Sequence, residues 1–125
     1  MEIKFRIWYP YGYKGEMVND VWMDLERGEL MADNDCLCER EGHSAAVVMQ
    51  FTGLHDKNGK DIYEGDILKY KFSVLGGMDE VIFTDGMFRL KDDYIPEAGF
   101  RTVSNVENYC EVIGNIHDNP ELLNQ

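Results

Sequence analysis

Apolar and polar residues alternate in short runs along much of the chain, a pattern typical of β-strands. In the first run, Ile3, Phe5 and Ile7 are separated by single charged residues. This alternation predicts a strand over residues 2–9 with one buried face and one exposed face. Glycine, proline, asparagine or aspartate follows most of the runs closely, so we expect short strands joined by tight turns.

Residues 19–30 admit two interpretations. The spacing of Val21, Trp22 and Leu25 fits a helix, whereas residues 26–29 equally fit a turn between two strands. We favour strands because the flanking segments are short and β-like, which predicts a β-rich N-terminal segment with a mixed α+β arrangement as the alternative. The polar, acidic stretch that follows, up to His43, is predicted to be a loop with a small hairpin at its end.

The stretch from residue 49 to residue 70 contains the strongest turn signals. Asp56, Asn58 and Gly59 predict a tight turn between two strands, because Asn and Asp side chains bond to nearby backbone and glycine accepts a positive φ. A second reversal is predicted at Gly65, which lies between two acidic residues. Valine at this position is expected to destabilise the fold strongly, because it tolerates neither a positive φ nor close backbone approach.

Further strands are predicted in the second half of the chain. A strand over residues 67–74 is expected to break at the Gly76-Gly77 pair, and a hairpin is predicted around residues 84–86. The last strand, over residues 109–116, precedes a short helical turn that starts with a proline. So many short strands indicate a barrel or a sandwich-like β fold.

Two pieces of the sequence carry a family resemblance. The segment GLHDKNGKDIYEGDIL, which follows Gln50-Phe51-Thr52, and the segment EVIGNIHDNPELL near the end resemble the YopX-like family of phage and prophage proteins. The opening KFRIW is similar to the usual first strand of that family. The motif positions are Gly53, Asp56, Asn58, Gly59, Tyr63, Gly65, Asp66, Gly114 and Asn115.

The resemblance implies a fold but no chemistry. It implies a mainly β protein with an SH3-like barrel over residues 48–125, ending in a short helical turn, and an N-terminal β-rich segment over residues 1–47 packed on it. No established activity and no catalytic residues follow from the resemblance. The motif positions are therefore interpreted as structural.

The charge of the chain restricts its partners. The chain has 24 acidic and 12 basic residues, a net charge of −12, and the acidic excess is spread over both halves. Such a protein repels the phosphate backbone, so direct binding of DNA or RNA is not expected. We attribute the charge to solubility. The alternative is an acidic surface that imitates nucleic acid and occupies a host DNA- or RNA-binding protein.

The sequence also bears on location. No apolar run approaches the about 20 residues that a membrane span requires, so no membrane partner is expected. The chain opens with a charged, alternating strand, which does not resemble a signal peptide. Its three cysteines favour reduced thiols. With the family resemblance, these features predict a protein of the bacterial host cytoplasm.

No metal or cofactor is predicted. The nearest approach to a metal cluster is Cys36-x-Cys38 with His43, but zinc sites usually have four such ligands. A fourth ligand would come from a distant residue whose spacing gives no indication: Cys110, His55 or His117. The turn at Asp56 lacks the glycine and glutamate that an EF-hand has at its sixth and twelfth positions, so a calcium loop is excluded.

The candidates for catalysis are weak. Glu64 and Asp66 form a carboxylate pair, but acidic residues at reversals more often bond to backbone N–H groups or face water. The His55-Asp56 dipeptide and its later repeat, His117-Asp118, have no recognisable nucleophile beside them. A glycine-rich phosphate loop is not present in the sequence. An enzyme on a small substrate stays a third hypothesis, which requires a deep pocket with convergent polar groups.

The aromatic residues of the N-terminal segment are the remaining candidates for function. Trp8, Tyr11, Tyr13 and Trp22 are of the types favoured in protein interfaces, although packing within a sheet is the commoner role. We therefore expect a non-enzymatic protein-binding or assembly module with an unidentified protein partner. Self-association through unpaired strand edges is a further expectation.

Overall fold

The structure, a computed structural model, describes residues 3–10, 15–32, 35–37, 45–72, 75–84, 86–91 and 109–123. Within these ranges the fold is mainly β, and its strands pair antiparallel in two sheets. The chain divides into two compact units, residues 1–51 and 52–125. None of the described helical segments is long and apolar enough to cross a lipid bilayer.

The N-terminal unit contains one antiparallel sheet. Its strands are β1 (Phe5–Tyr9), β2 (Glu16–Asp24), β3 (Glu29–Ala32), β4 (Asp35–Cys36) and the first residues of β5 (Val47–His55). Their order is β4-β3-β2-β1-β5, so β1 is paired on both sides. The strand interpretation of residues 19–30 is therefore confirmed.

The turn between β2 and β3 explains why strands form here instead of a helix. One carboxylate oxygen of Asp24 accepts hydrogen bonds from the backbone N–H groups of Glu26 (3.0 Å) and Arg27 (3.3 Å). Gly28 then closes the turn with a φ of 69°, where a side chain is disfavoured. The loop predicted from Met31 onwards is wrong at its start, because β3 continues through Ala32.

The β2 strand contains a bulge. Phe5 pairs with Val21 and Ile7 pairs with Val18, so β2 has one residue more than β1 between these pairs. The extra residue is accommodated at Asp20, whose φ is 58°. Aspartate tolerates this left-handed conformation better than most residues, but it is less favourable than glycine there.

The prediction that β1 is buried on one face only is wrong. Its residues Arg6, Ile7, Trp8 and Tyr9 are all buried. The Trp8 ring lies against Gly15, where there is no room for a Cβ, so both faces of the strand are covered. Ile7 and Tyr9 belong to the core of this unit with three further residues: Val21, Ala32 and Leu37.

The C-terminal unit begins within β5 and contains the remaining strands. These are β6 (Asp61–Tyr63), β7 (Asp66–Phe72), β8 (Leu75–Thr84), β9 (Met87–Leu90) and β10 (Cys110–Asn115), followed by a 3₁₀ turn (Pro120–Leu123). β6 pairs with β5, and the other four strands form a separate sheet in the order β10-β7-β8-β9. The core residues are Ile62, Leu68, Val81, Leu90, Cys110 and Val112.

This sheet confirms most of the strands predicted for the second half. The β8–β9 hairpin, the last strand and the proline-led turn are present. The predicted break at Gly76-Gly77 is wrong, because both glycines lie inside β8 and pair with β7. At Gly77 a Cβ would lie 3.3 Å from the Tyr70 hydroxyl, so glycine allows the Tyr70 side chain to approach the backbone.

The four-stranded sheet is open. Its described pairings leave β9 and β10 at opposite edges, and they do not close into a barrel. The predicted fold class is therefore confirmed at the level of a mainly β fold.

Candidate functional site

The turn after β5 is organised by the carboxylate of Asp56, which is 4% exposed. One oxygen accepts hydrogen bonds from the N–H groups of Asn58 and Lys60, both at 2.9 Å. Gly59 takes a φ of 81° and donates its N–H to the Asp56 carbonyl. The other carboxylate oxygen accepts the N–H of Val112 in β10 at 2.9 Å, so this side chain connects the turn to a distant strand.

The surroundings of Asp56 favour its charged form. Burial alone raises the pKa of this carboxyl, but the N–H donors of Val112, Lys60 and Asn58, with the charge of Lys60, outweigh burial. They hold the pKa below its ordinary value of 3.8. The carboxylate is therefore ionised at neutral pH and acts as an acceptor for backbone donors. A catalytic acid would require the opposite shift.

The second reversal, at residues 64–66, has the same construction. Asp66 is 1% exposed, and one of its carboxylate oxygens accepts the Tyr63 N–H at 2.7 Å. Gly65 has a φ of 86°, donates its N–H to Val81 and accepts the N–H of Ile116 through its carbonyl. The reversal predicted at Gly65 is confirmed. Its buried aspartate bonds to backbone, as expected for a structural role.

The C-terminal motif supplies a third hydrogen-bonded turn. The Asn115 side-chain oxygen accepts the N–H groups of His117 (3.0 Å) and Asp118 (2.9 Å). The Asn119 side-chain oxygen in turn accepts the Asn115 N–H at 3.3 Å. At Gly114 a Cβ would lie 2.5 Å from that oxygen, so the close packing of Asn119 requires glycine.

These three turns form one network. The Asp56 turn bonds to β10 twice, through the N–H of Val112 and through the Lys57 N–H to the Cys110 carbonyl at 3.0 Å. The Gly65 reversal bonds to Ile116, which directly follows the other end of β10. The two motif segments, distant in sequence, are thus joined by backbone groups. This arrangement positions strands, and its carboxylates are occupied by N–H donors.

Two further motif residues, Gly53 and Tyr63, and the neighbouring Thr52 contribute to the same region. The Thr52 hydroxyl donates to the Ile62 carbonyl at 2.7 Å and accepts the Leu54 N–H at 3.1 Å. Gly53, between Thr52 and Leu54, takes a φ of 88°. Tyr63 is buried, with its N–H on Asp66. These contacts fix how β5 enters the Asp56 turn and how β6 leaves it.

The metal candidates give no site that can be described. Among the described residues, no group of three or more His, Cys, Asp and Glu side chains is placed to hold a metal ion. Cys38 and His43 lie outside the described residues, as does the side chain of Cys36. Cys110 is buried in the core, and His55 pairs with Asp61 at 3.0 Å.

The four aromatic residues predicted as an interface lie in different environments. Trp8 is buried against Gly15. Trp22, in β2, is 44% exposed. Tyr11 and Tyr13 lie outside the described residues. Of the two aromatic residues that the structure describes, Trp22 is therefore the exposed one.

A groove that the sequence analysis did not identify lies on the C-terminal unit. It has a volume of about 630 Å³ and is lined by Lys57, Lys69, Tyr70, Lys71, Tyr109, Cys110 and Glu111. A neighbouring depression shares four of these residues and extends to three more: Gly77, Met78 and Ile113. The Lys69-Tyr70-Lys71 sequence was a visible signal, but only the pairing of Tyr70 with Cys110 brings these residues beside Tyr109. We call this surface the lysine groove.

The fold and the turn network define a small mainly β protein whose motif residues organise the backbone. The chain belongs to the YopX family, because the model of the YopX protein family matches residues 4–124. This confirms the resemblance drawn from the two motif segments. No protein in the curated set matches the chain.

Two solved structures are similar over nearly the whole chain. The crystal structure of protein EF1440 from Enterococcus faecalis has 31% sequence identity and a TM-score of 0.67, covering 98% of this chain and 99% of its own. The crystal structure of yopX from Bacillus subtilis has 20% identity and a TM-score of 0.53, covering 95% and 96%. At that identity, the second similarity shows the fold alone.

Proposed function

We propose that this protein is a non-enzymatic protein-binding or assembly module. The observation that carries the proposal is the exposed ring of Trp22 in β2, with Leu25 (89% exposed) at the following turn. Met23 (38% exposed) is the next residue of β2, and its side chain points to the opposite face of the strand. Tryptophan is enriched among the residues that dominate binding energy.

The non-enzymatic part of the proposal is supported by the turn network. Asp56 and Asp66, the buried carboxylates of the motif, accept backbone N–H groups, and this use leaves them poorly suited to proton transfer. The lysine groove is open, and its described lining has a single carboxylate, Glu111, whereas acid–base catalysis commonly uses a pair. A binding role is consistent with both features.

The proposal also covers the origin of the protein, its location and the finer description of its fold. We propose a phage or prophage protein that acts in the cytoplasm of a bacterial host; the two similar structures come from bacterial species. We also propose that residues 48–125 form an SH3-like arrangement. Short strands joined by tight reversals at Gly59 and Gly65 support this arrangement. An experimental structure that includes residues 92–108 tests it.

The test of the binding role uses Trp22→Ser, with Ile3→Ser as its control. Ile3 is 67% exposed in the same unit but lies outside the β2–β3 hairpin. Each tagged protein is used for affinity capture from host lysate with quantitative mass spectrometry, and its self-association is measured by light scattering. We expect a captured protein, or self-association, that Trp22→Ser weakens by at least about tenfold and the control leaves unchanged.

Two results count against the proposal. If the protein does not self-associate and captures no protein in a Trp22-dependent way, the exposed Trp22 ring no longer supports a binding role. Capture that is lost at high salt but is independent of Trp22 would favour the nucleic-acid mimic, because exposed charge interactions are screened by salt. Circular dichroism of both variants establishes that they are folded.

A further inference from the structure

We propose that the lysine groove binds an extended, acidic polypeptide segment that carries an apolar side chain next to its carboxylates. This inference deepens the proposed function and rests on it for the class of partner. The groove residues belong to the C-terminal unit and Trp22 to the N-terminal unit, and the two are tested with different variants, so each proposal can fail alone.

The first argument is charge. Three of the chain's 12 basic residues line the groove, whereas the chain as a whole has a net charge of −12. The opposing charge in the groove is Glu111, which pairs with Lys57 at 3.5 Å. The groove thus has a local excess of two positive charges from Lys69 and Lys71, and both side chains are exposed. A local charge opposite to that of the whole protein selects an anionic ligand at close range.

The second argument is geometry. Lys69 and Lys71 are separated by one residue on β7, so their side chains leave the same face of the sheet about 7 Å apart. Alternate residues of an extended peptide have the same spacing, and two of its carboxylates can therefore meet both ammonium groups. Met78 pairs with Lys69 across the sheet, and Ile113 lines the same depression. These two side chains offer an apolar contact beside the charged one.

The third argument concerns the size of the partner. The groove is open and continues over three strands, β10, β7 and β8, which suits a strand-like segment better than an enclosed small molecule. A polynucleotide would bring many phosphates close to a protein of net charge −12, and three lysines offer few counterions to release. A short acidic segment brings few charges and meets less repulsion.

Replacing Glu111 should strengthen binding of the acidic segment, whereas replacing the lysines should weaken it. Its carboxylate is 3.5 Å from the Lys57 ammonium and 3.4 Å from the Asn58 side-chain nitrogen, so it competes with a ligand carboxylate for both donors. Glu111→Gln removes that competing charge. We expect it to tighten binding of the acidic segment by about threefold, since the pair that it removes is exposed and weak.

The experiment measures binding of a fluorescein-labelled decapeptide of alternating glutamate and valine by fluorescence anisotropy. The matched peptide has glutamine in place of glutamate, and a single-stranded DNA decamer and inorganic phosphate serve as competing anions. The groove variant is Lys69→Glu with Lys71→Glu. The control is Lys91→Glu, which makes at one exposed position outside the groove the charge reversal that the groove variant makes at two. Amide chemical shifts of Lys69 to Lys71 locate the bound peptide.

We expect the glutamate peptide to bind and the glutamine peptide not to bind. The groove variant should weaken binding by at least about tenfold, and the control by less than about twofold. Three outcomes overturn the proposal: no binding at millimolar peptide, equal loss in the groove and control variants, or tighter binding of the DNA decamer than of the peptide. If Trp22-dependent capture persists when this peptide fails, the groove proposal fails and the binding role stands.

Discussion

Replacing Asp56 tests whether its carboxylate connects the turn after β5 to β10. In Asp56→Ala the N–H of Val112 loses its acceptor inside a buried strand, which costs about 1–3 kcal/mol. The N–H groups of Asn58 and Lys60 also lose theirs, but these residues are exposed and regain water, at about 0.5 kcal/mol each. We expect a total loss of about 3 kcal/mol in the free energy of unfolding.

The assay is urea unfolding followed in parallel by far-UV circular dichroism and by tryptophan fluorescence. Both tryptophans, Trp8 and Trp22, belong to the N-terminal unit, whereas Asp56 belongs to the C-terminal unit. The loss in the free energy of unfolding should therefore be seen in the circular dichroism transition. The control is Glu121→Gln, which removes an exposed carboxylate of the same unit and should change the free energy by less than about 0.5 kcal/mol. A loss no larger than this in Asp56→Ala would refute the reasoning.

The same substitution has a defined pH dependence. The folded-state pKa of Asp56 lies below 3.8, so its contribution to stability is complete above the unfolded-state pKa and disappears as pH falls through the lower, folded-state value. The stability difference between wild type and Asp56→Ala should therefore be constant from pH 7 to about pH 5 and shrink below about pH 4. A difference that grows on acidification would show the opposite sign of pKa shift.

Three further substitutions test other parts of the fold. Gly65→Val should cost at least about 2 kcal/mol in thermal or urea unfolding, because Gly65 is buried, has a φ of 86° and has both of its backbone groups bonded. Gly59→Val should cost less, because Gly59 has a similar φ of 81° but is exposed, with nothing within 4 Å of an added Cβ; equal losses would contradict the argument from burial. Gly114→Ala should cost about 1–2 kcal/mol and be partly rescued by Asn119→Gly, so additive effects in a double-mutant cycle would sink the proposed contact. Asp20→Gly should stabilise the N-terminal unit by about 0.5–1 kcal/mol, seen in the tryptophan fluorescence transition, and destabilisation would argue against the left-handed bulge.

The turns could be predicted because their causes are local. Asp56, Gly59 and Gly65 act on their own backbone within a few residues, so residue type is enough to locate the reversals. The same holds for the turn that Gly28 closes between β2 and β3. Strand positions followed from alternation between such turns.

Contacts between distant strands could not be predicted from the same signals. The Val112 N–H reaches Asp56 across 56 residues, and no local pattern specifies which strand passes beside the turn. The burial of Trp8 depends on Gly15 lying beneath its ring, and the position of Gly77 inside β8 depends on the Tyr70 side chain across from it. Alternation of apolar and polar residues predicts which face of a strand is apolar. Whether each face is buried depends on which other residues of the unit pack over it.

The lysine groove shows the same limit for function. Lys69 and Lys71 are recognisable in sequence, but Tyr109 joins them only through the register of β7 with β10, and Lys57 joins them through the hydrogen bond of its N–H to Cys110. Trp8 and Trp22 were likewise equivalent candidates in the sequence, but Trp8 is buried and Trp22 is exposed.

The central claim is that the motif carboxylates hold backbone groups in place. It is tested most directly by following the amide chemical shifts of Asn58, Lys60 and Val112 by NMR as pH is lowered in the folded protein. The account predicts that all three amides shift together with one midpoint below 3.8, the ordinary pKa of the carboxyl they share. Separate midpoints, or a common midpoint above that value, would contradict it.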